Sequence, residues 1–534
     1  MAHRRMIYQL PHLVREAAWK APDQIALRFK SESLSYGDLY ERAGALANAL
    51  LADGLQPGDR VGILGKKGLE NAVALYGIML AGGVYVPLDP FAPPARTGFV
   101  MRDSDIRRVV TSASQAETVQ AVAESGLELE TLYGPGEEDG LPYRSVSWAE
   151  VASFSTDAPV VSTTEQDLCY ILYTSGSTGT PKGIMHTHRS ALAWAEVTAD
   201  TYRLGTTDVV TNYAPLHFDL STLDYFGVAA AGATTVIIPE EHTKFAASLA
   251  GLLEAEQLTV FYTVPMALIQ LGQPGILDGR DLGGLRLVLF GGEPMPIKHL
   301  RTIMAQLPGA QFVNVYGPTE TNGCTHYPVP ELPDAGGESL PIGYPYDNVE
   351  TLVVDDDDEP VAPGEPGELL VRAPTLMRGY WGRDDLTEAA FYRRAPYGGL
   401  PDLFHRTGDL VAEDPAGALR FLGRKDRQIK ARGYRVELDE VESVLLSHEG
   451  VHEAAVYATA DADGVREIQA EVILEAGAET TAADLSGHLR ASLPPYAVPR
   501  EVRIRTAFPR TSSGKIDRIA MAAEHAAQLT TVGG

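Results

Sequence analysis

Residues 173–183 read YTSGSTGTPKG, in which three glycines, two serines and three threonines surround one proline and one lysine. Such a composition suits a flexible linker. It equally suits a loop that wraps phosphates with backbone N–H groups and hydroxyls. The flanks discriminate. Before the loop stands LCYILY (168–173), a short apolar and aromatic run that reads as a buried strand. After it come GIMHTH and an apolar-periodic segment at 190–202. A linker would be flanked by polar sequence, whereas a glycine loop leaving a buried strand is a place for a ligand. The loop is not a Walker A motif, because Lys182 follows Pro181 and precedes Gly183.

The 534-residue chain is long enough for more than one domain. Its 45% hydrophobic and 22% charged residues are those of a globular protein. With 44 basic and 71 acidic residues the net charge is −27, which argues against general nucleic-acid binding. The two cysteines, Cys169 and Cys324, stand among apolar or small residues, so neither a disulfide framework nor a cysteine metal site is expected. The N-terminal stretch has basic residues but no long apolar core, and no apolar run reaches membrane-spanning length. No membrane association is expected, and the cytoplasm is the default location.

Strand-like and helix-like segments alternate outward from the loop. Strands are expected at 61–65, 84–89, 258–264, 285–292 and 312–317, and helices at 69–80 and 297–307. This alternation predicts α/β layers with largely parallel sheets. From about residue 350 short strands and turns predict a smaller β-rich part, with the acidic run 355–358 at a solvated hairpin tip. After GRKDRQIKARG (423–433) a helix at 437–447 and strands at 454–458 and 468–474 follow. A domain boundary is placed near Asp426, giving a large domain over 1–425 and a small α+β domain over 426–534.

Further segments carry candidate chemistry: FDLS (218–221), NVYGPTE (314–320), HRTGDL (405–410), GRKDRQIKARGYRVELDEVE (423–442) and SGKIDR (513–518). Each alone reads as an edge turn, a solvated helix or a frayed tail. In this order, with LSYGDL (34–39), MLAGGVYVPLDP (79–90), GELLVRAPTLMRGY (367–380) and LPPYAVP (493–499), they resemble adenylate-forming enzymes. The chain is most similar to adenylation domains of nonribosomal peptide synthetases, over roughly residues 10 to 520.

The resemblance implies two steps. A carboxylate attacks the α-phosphorus of Mg-ATP, giving an acyl-adenylate and pyrophosphate, and a thiol then takes the acyl group as a thioester. Both steps develop negative charge that positioned donors and cations must meet. By resemblance, Thr174, Ser175, Gly176, Ser177, Thr178 and Gly179, with Lys182, hold the β- and γ-phosphates. Glu320 binds Mg²⁺, a hard cation that prefers oxygen. Tyr316 stacks on adenine, Thr319 meets the α-phosphate, and Gly292, Glu293, Asn314 and Gly317 complete the nucleotide site. Asp409 accepts from the ribose hydroxyls, assisted by Arg424. Lys515 bridges the substrate carboxylate and the adenylate, a point charge with three donors. Asp426 is the hinge about which the mobile small domain turns, and the segment around Gly433 forms a tunnel for the thiol.

By resemblance, Asp219 corresponds to the aspartate that pairs with the α-ammonium of amino-acid substrates, a role favoured over the plainer reading as an N-cap for 221–228. The remaining pocket positions are Leu220, Leu223, Tyr262, Leu289, Gly291, Val315, Gly323 and Cys324, with His217 before them as a neighbour of the substrate carboxylate or a core histidine. An aliphatic pocket with one phenol suits a small apolar amino acid, and the set is similar to that of stand-alone L-proline-activating enzymes. Gly291 and Gly323 stand where larger residues are expected; the added room keeps valine or alanine open beside proline. No HHxxxDG motif and no carrier domain with a phosphopantetheine serine are found, so a peptidyl carrier protein bearing phosphopantetheine is expected to act as partner in trans. Two alternatives stand: an acyl-CoA synthetase using free CoA, and a nucleotide-binding scaffold without turnover.

Overall fold

The computed structural model describes every residue except 1–5, 135–142, 177–179, 331, 333–339, 396–397, 432–433, 461–465, 511–515 and 533–534. The chain packs into two compact units. The larger comprises Met1–Pro90, Val100–Tyr173 and Gly183–Gly423; the smaller comprises Arg424–Gly534 together with Phe91–Phe99 and Thr174–Lys182. No described helix is long and apolar enough to cross a membrane.

Among the described residues the larger unit is built on three sheets. An eight-stranded sheet has its centre in Leu168–Thr174, Val84–Leu88, Arg60–Leu64 and Arg108–Thr111, with parallel pairing outward from Leu168–Thr174 through Arg144–Ser147. The strands VGIL and VYVPL are apolar at every position because both faces are covered. One cover is the helix Leu69–Leu80, apolar nearly all round and buried along most of its length. A nine-stranded sheet runs in spatial order Tyr344–Pro345, Thr325–Pro328, Gln311–Tyr316, Leu287–Gly291, Val260–Thr263, Val209–Asn212, Thr234–Ile237, Ile25–Phe29 and Glu32–Ser35. Its central strands are parallel. Helix starts are set by local chemistry: Ser35 with Asp38, and Thr187 with Ser190, form reciprocal caps.

The third sheet is antiparallel and contains Glu350–Val354, Gly367–Arg372, Asp402–Glu413, Phe391–Arg394 and Leu419–Arg424. The acidic run lies in the turn after Glu350–Val354, but it is not wholly solvated: Asp358 accepts from Arg406 Nη2 at 2.6 Å. In the smaller unit the strands Val451–Ala460, Arg466–Leu474 and Val502–Arg505 pack against helices Leu438–Leu446 and Ala482–Ser492 around Val441, Leu445, Val456, Val472, Leu485 and Leu489.

Two local features go beyond the sequence reading. The residues after the glycine loop form a strand, Lys182–Thr187, before the helix His188–Thr201 begins. The segment after Asp219 is interrupted by a π-turn at Leu223–Gly227, a rare geometry that recurs near functional sites.

Candidate active site

In parallel sheets ligands bind beyond the carboxyl ends of the strands. In the larger unit those ends bring the expected residues together. The strands Val260–Thr263, Leu287–Gly291 and Gln311–Tyr316 run side by side, with Tyr262 opposite Leu289 and Gly291 opposite Val315. Leu223, Tyr262, Leu289 and Val315 are 0%, 5%, 0% and 6% exposed and belong to one apolar cluster, with Leu220 packed against it. Burial, followed by the nearby Asp219 carboxylate, pushes the Tyr262 phenol well above its ordinary range. Asp219 occupies a helix-start position yet makes no side-chain cap bond, and only its carbonyl serves the helix, accepting from Thr222 N–H at 2.9 Å. The capping reading of its carboxylate is therefore not realised.

The room expected at Gly291 and Gly323 is not there. A Cβ at Gly291 would lie 2.4 Å from the Val315 carbonyl oxygen, and one at Gly323 would lie 2.2 Å from Trp194 Cη2. Both positions are glycine because neighbours already fill the space. Cys324 is fully buried and donates its backbone N–H to the Tyr316 carbonyl at 2.8 Å. His217 Nε2 lies 3.9 Å from Asp89 Oδ2, and its ring packs on Phe218 with centroids 4.7 Å apart.

The turn after Gln311–Tyr316 carries Gly317, Thr319 and Glu320. Gly317 has no alternative: a Cβ there would lie 1.9 Å from the Asn322 carbonyl oxygen. Asn322 itself is left-handed, with φ 57°. The Tyr316 phenol donates a hydrogen bond to Asp409 Oδ2, joining two residues 93 apart in sequence. The Asp409 amide is held in turn by Thr407 Oγ1 at 3.1 Å. Asn314 donates to the Pro341 carbonyl at 2.9 Å. Gly292 follows its strand with φ 97°, and Glu293 beside it is half-buried.

Glu320 is 1% exposed, and its Oε1 accepts from the Tyr380 hydroxyl at 2.7 Å. The Thr319 carbonyl accepts from His186 Nε2 at 2.9 Å, and His186 Nδ1 lies 3.2 Å from Ser190 Oγ. The ring of Tyr170 packs on His186 at 5.0 Å. Burial, only partly opposed by the Thr319 carbonyl, lowers the His186 pKa to about 4, so it is neutral and donates from Nε2. Sequence reasoning does not mark His186, Tyr170 or Tyr380 as site residues. Tyr380 falls within a motif singled out above; Tyr170 reads as an ordinary residue of the expected strand 168–173, and His186 stands in the stretch after the glycine loop to which the sequence assigns no role.

No described group of three or more His, Cys, Asp or Glu side chains could hold a metal ion. A single buried carboxylate held by a phenol nevertheless fits magnesium, which is usually bound by one or two carboxylates and completes its shell with substrate phosphates and water.

In the smaller unit the glycine loop is shaped by the same steric logic. A Cβ at Gly176 would lie 2.0 Å from the Thr180 carbonyl oxygen. Ser175 Oγ donates to the Arg435 carbonyl at 3.0 Å and accepts from Glu437 N–H at 3.2 Å. Thr174 Oγ1 is buried with no hydrogen-bond partner among the described residues. Lys182 opens the strand Lys182–Thr187. Arg424 grips Asp426 through two bonds of 2.6 and 2.7 Å, and Asp426 Oδ1 also accepts from Gln428 N–H at 3.1 Å. Ser177, Thr178, Gly179, Gly433 and Lys515 lie outside the described residues.

Comparison with known proteins identifies the family. Residues 14–381 match the family described as AMP-binding enzyme, and residues 440–515 match the AMP-binding enzyme C-terminal domain. An L-proline--[L-prolyl-carrier protein] ligase of Pseudomonas fluorescens is 32% identical over 522 residues, covering 98% of this chain and 99% of that protein. Tyrocidine synthase 2 of Brevibacillus parabrevis is 33% identical over 516 residues and 96% of this chain, but the chain spans only 14% of its length. The structure of a nonribosomal peptide synthetase protein containing adenylation and PCP domains, bound to a vinylsulfonamide inhibitor, superposes with TM-score 0.80 at 27% identity, covering 96% of this chain and 84% of that one. The chain belongs to the AMP-binding enzyme family and is an adenylate-forming ligase.

Proposed function

We propose that the chain activates a small apolar amino acid, L-proline, as aminoacyl-AMP and passes it to the phosphopantetheine thiol of a separate peptidyl carrier protein. The observation that carries this reading is the place of Asp219 at the start of the segment Leu220–Thr222, near enough to the Tyr262 phenol to add to the upward push that burial gives its pKa, with Tyr262 in one apolar cluster with Leu223, Leu289 and Val315. An ammonium needs a buried partner of opposite charge, and ring methylenes need apolar walls. Whole-length similarity to an L-prolyl-carrier protein ligase supports the same substrate and partner.

In the first step a substrate carboxylate oxygen bonds to the α-phosphorus of ATP, and the bond to the departing pyrophosphate breaks. Asp219 holds the ammonium. Tyr316 offers its ring to adenine while its hydroxyl steadies Asp409, which accepts from the ribose. Thr319 meets the α-phosphate, and the loop from Thr174 to Lys182 holds the β- and γ-phosphates. Glu320, oriented by Tyr380, would hold magnesium, which would supply neutralisation of phosphate charge when bound. Lys515 offsets the charge passing between carboxylate and phosphate. In the second step the thiol sulfur bonds to the acyl carbon and AMP leaves.

The test is ATP–pyrophosphate exchange against the twenty amino acids, followed by thiol loading with CoA and with a phosphopantetheinylated carrier protein. L-Proline is expected to give the highest exchange, with valine and alanine weaker, since an apolar pocket separates near neighbours only ~10–200-fold. Valine or alanine outrunning proline would correct the substrate alone. Exchange with an aryl or fatty acid and with no amino acid would overturn the role of Asp219. Loading of free CoA in preference to the carrier would establish the synthetase alternative.

A further inference from the structure

Trp194 lies on the helix His188–Thr201, outside every segment that carried the family resemblance. It is 3% exposed and belongs to the same apolar cluster as Leu223, Tyr262, Leu289 and Val315. Its ring meets Tyr346 edge-on, with centroids 5.5 Å apart at 90°. A Cβ added at Gly323 would lie 2.2 Å from Trp194 Cη2 and 2.6 Å from Cζ3. The indole therefore stands where a side chain at position 323 would project. Ordinary packing does not account for the choice of residue. The indole Nε1 is buried with no hydrogen-bond partner among the described residues. A buried unpaired donor is unfavourable, and leucine or phenylalanine would fill a plain core position without one. What the indole supplies is a long, flat and rigid wall.

We propose that Trp194 is a specificity-determining residue: its indole replaces the side chain missing at Gly323 and sets the upper size of the amino acid that the pocket admits. This rests on the amino-acid reading of the pocket given above. The two positions share one volume, so the limit is a property of the pair. Shortening Trp194 opens the pocket towards larger apolar side chains, and restoring bulk at 323 closes it again.

The experiment measures pyrophosphate exchange for proline, valine, leucine and phenylalanine with the full chain and the variants Trp194→Leu, Trp194→Phe and Trp194→Leu/Gly323→Val. Trp194→Leu is expected to raise leucine or phenylalanine relative to proline by ~10-fold or more, the scale on which an apolar pocket reads one or two methylenes. Trp194→Phe should shift the ratio in the same direction by less. The double variant should return the preference towards small acids, while Gly323→Val alone should lose activity because it meets the indole. A purely structural tryptophan would change stability and total rate but not the ranking of amino acids. The proposal is overturned if the single and double variants turn over with the wild-type ranking. If Trp194→Leu does not fold, by its thermal melt, the ranking by Trp194→Phe decides. Absence of exchange by the wild-type chain with every amino acid removes the functional reading itself, and this inference with it.

Discussion

Asp219 carries more of the functional argument than any other side chain, and removing its carboxylate is a direct test. Asp219→Ala should reduce exchange for every amino acid by on the order of 10²-fold or more, since it leaves the substrate ammonium buried and unpaired. A variant that loses proline but keeps another amino acid would show that the residue reads side chains instead. His188 makes a different prediction. Its Nδ1 accepts from the Leu10 backbone N–H at 3.2 Å, so the neutral ring carries its proton on Nε2. Burial lowers its pKa from 6.5 to about 4. Between those values the unfolded chain binds a proton that the folded chain refuses, so stability falls as pH drops from about 6.5 towards about 4. One such histidine contributes on the order of 3 kcal/mol across the window. His12, lowered to about 3 chiefly by burial, acts in the same sense, whereas the buried Asp224, whose pKa is raised by burial, acts in the opposite one. His188→Gln should therefore lose less stability than the wild type between pH 7 and pH 5, read from denaturant midpoints. Equal losses would show that the ring does not stay neutral.

The turn from Gly317 to Asn322 shows how one element gathers several of the expected site residues. Gly317 must lack a side chain, the Thr319 carbonyl is tied to His186, and Glu320 is tied to Tyr380. Gly317→Ala should push the turn away from Asn322. A displacement near 1 Å can cost ~10²-fold in rate, and exchange should fall by that order while the melting temperature changes little. Unchanged exchange would mean that the turn relaxes without moving Tyr316 or Glu320. Much of this element is legible before folding. The strands Leu287–Gly291 and Gln311–Tyr316 and the helices Leu69–Leu80 and Ile297–Gln306 follow the apolar pattern to within a few residues. The turn residues themselves are legible as a motif. Their supports are not, because His186, Tyr170 and Tyr380 are remote in sequence and join the turn only through tertiary contact. The π-turn at Leu223–Gly227 escapes for a related reason: its one-residue surplus leaves no mark in a 3.6-residue period. The glycines at 291 and 323 mislead because a missing side chain reads as empty space until its neighbour is seen.

Across the whole chain the expected division of labour is between forming the adenylate and consuming it. Lys515→Ala should abolish exchange while leaving thiol loading from supplied adenylate intact; retention of near-wild-type exchange would defeat the assignment. We propose Asp426 as the hinge that the family resemblance implies; on that proposal Asp426→Pro should do the reverse, because proline fixes φ. Asp426 also grips Arg424, so Asp426→Ala serves as the control for the lost ion pair. Equal losses of exchange and loading in the proline variant would make Asp426 an ordinary structural residue. A test of whether the proposed movement occurs is favoured by the placement of the two cysteines. Cys169 and Cys324 are both 0% exposed, and burial pushes the Cys169 thiol well above its ordinary range. Since the thiolate is the reactive form, the folded chain should show almost no thiol to Ellman's reagent and two after denaturation. Cysteines introduced at the exposed positions Glu41 and Ala483 would then take maleimide dyes without first removing the native pair, and fluorescence energy transfer between them would report each turnover on an otherwise unaltered enzyme.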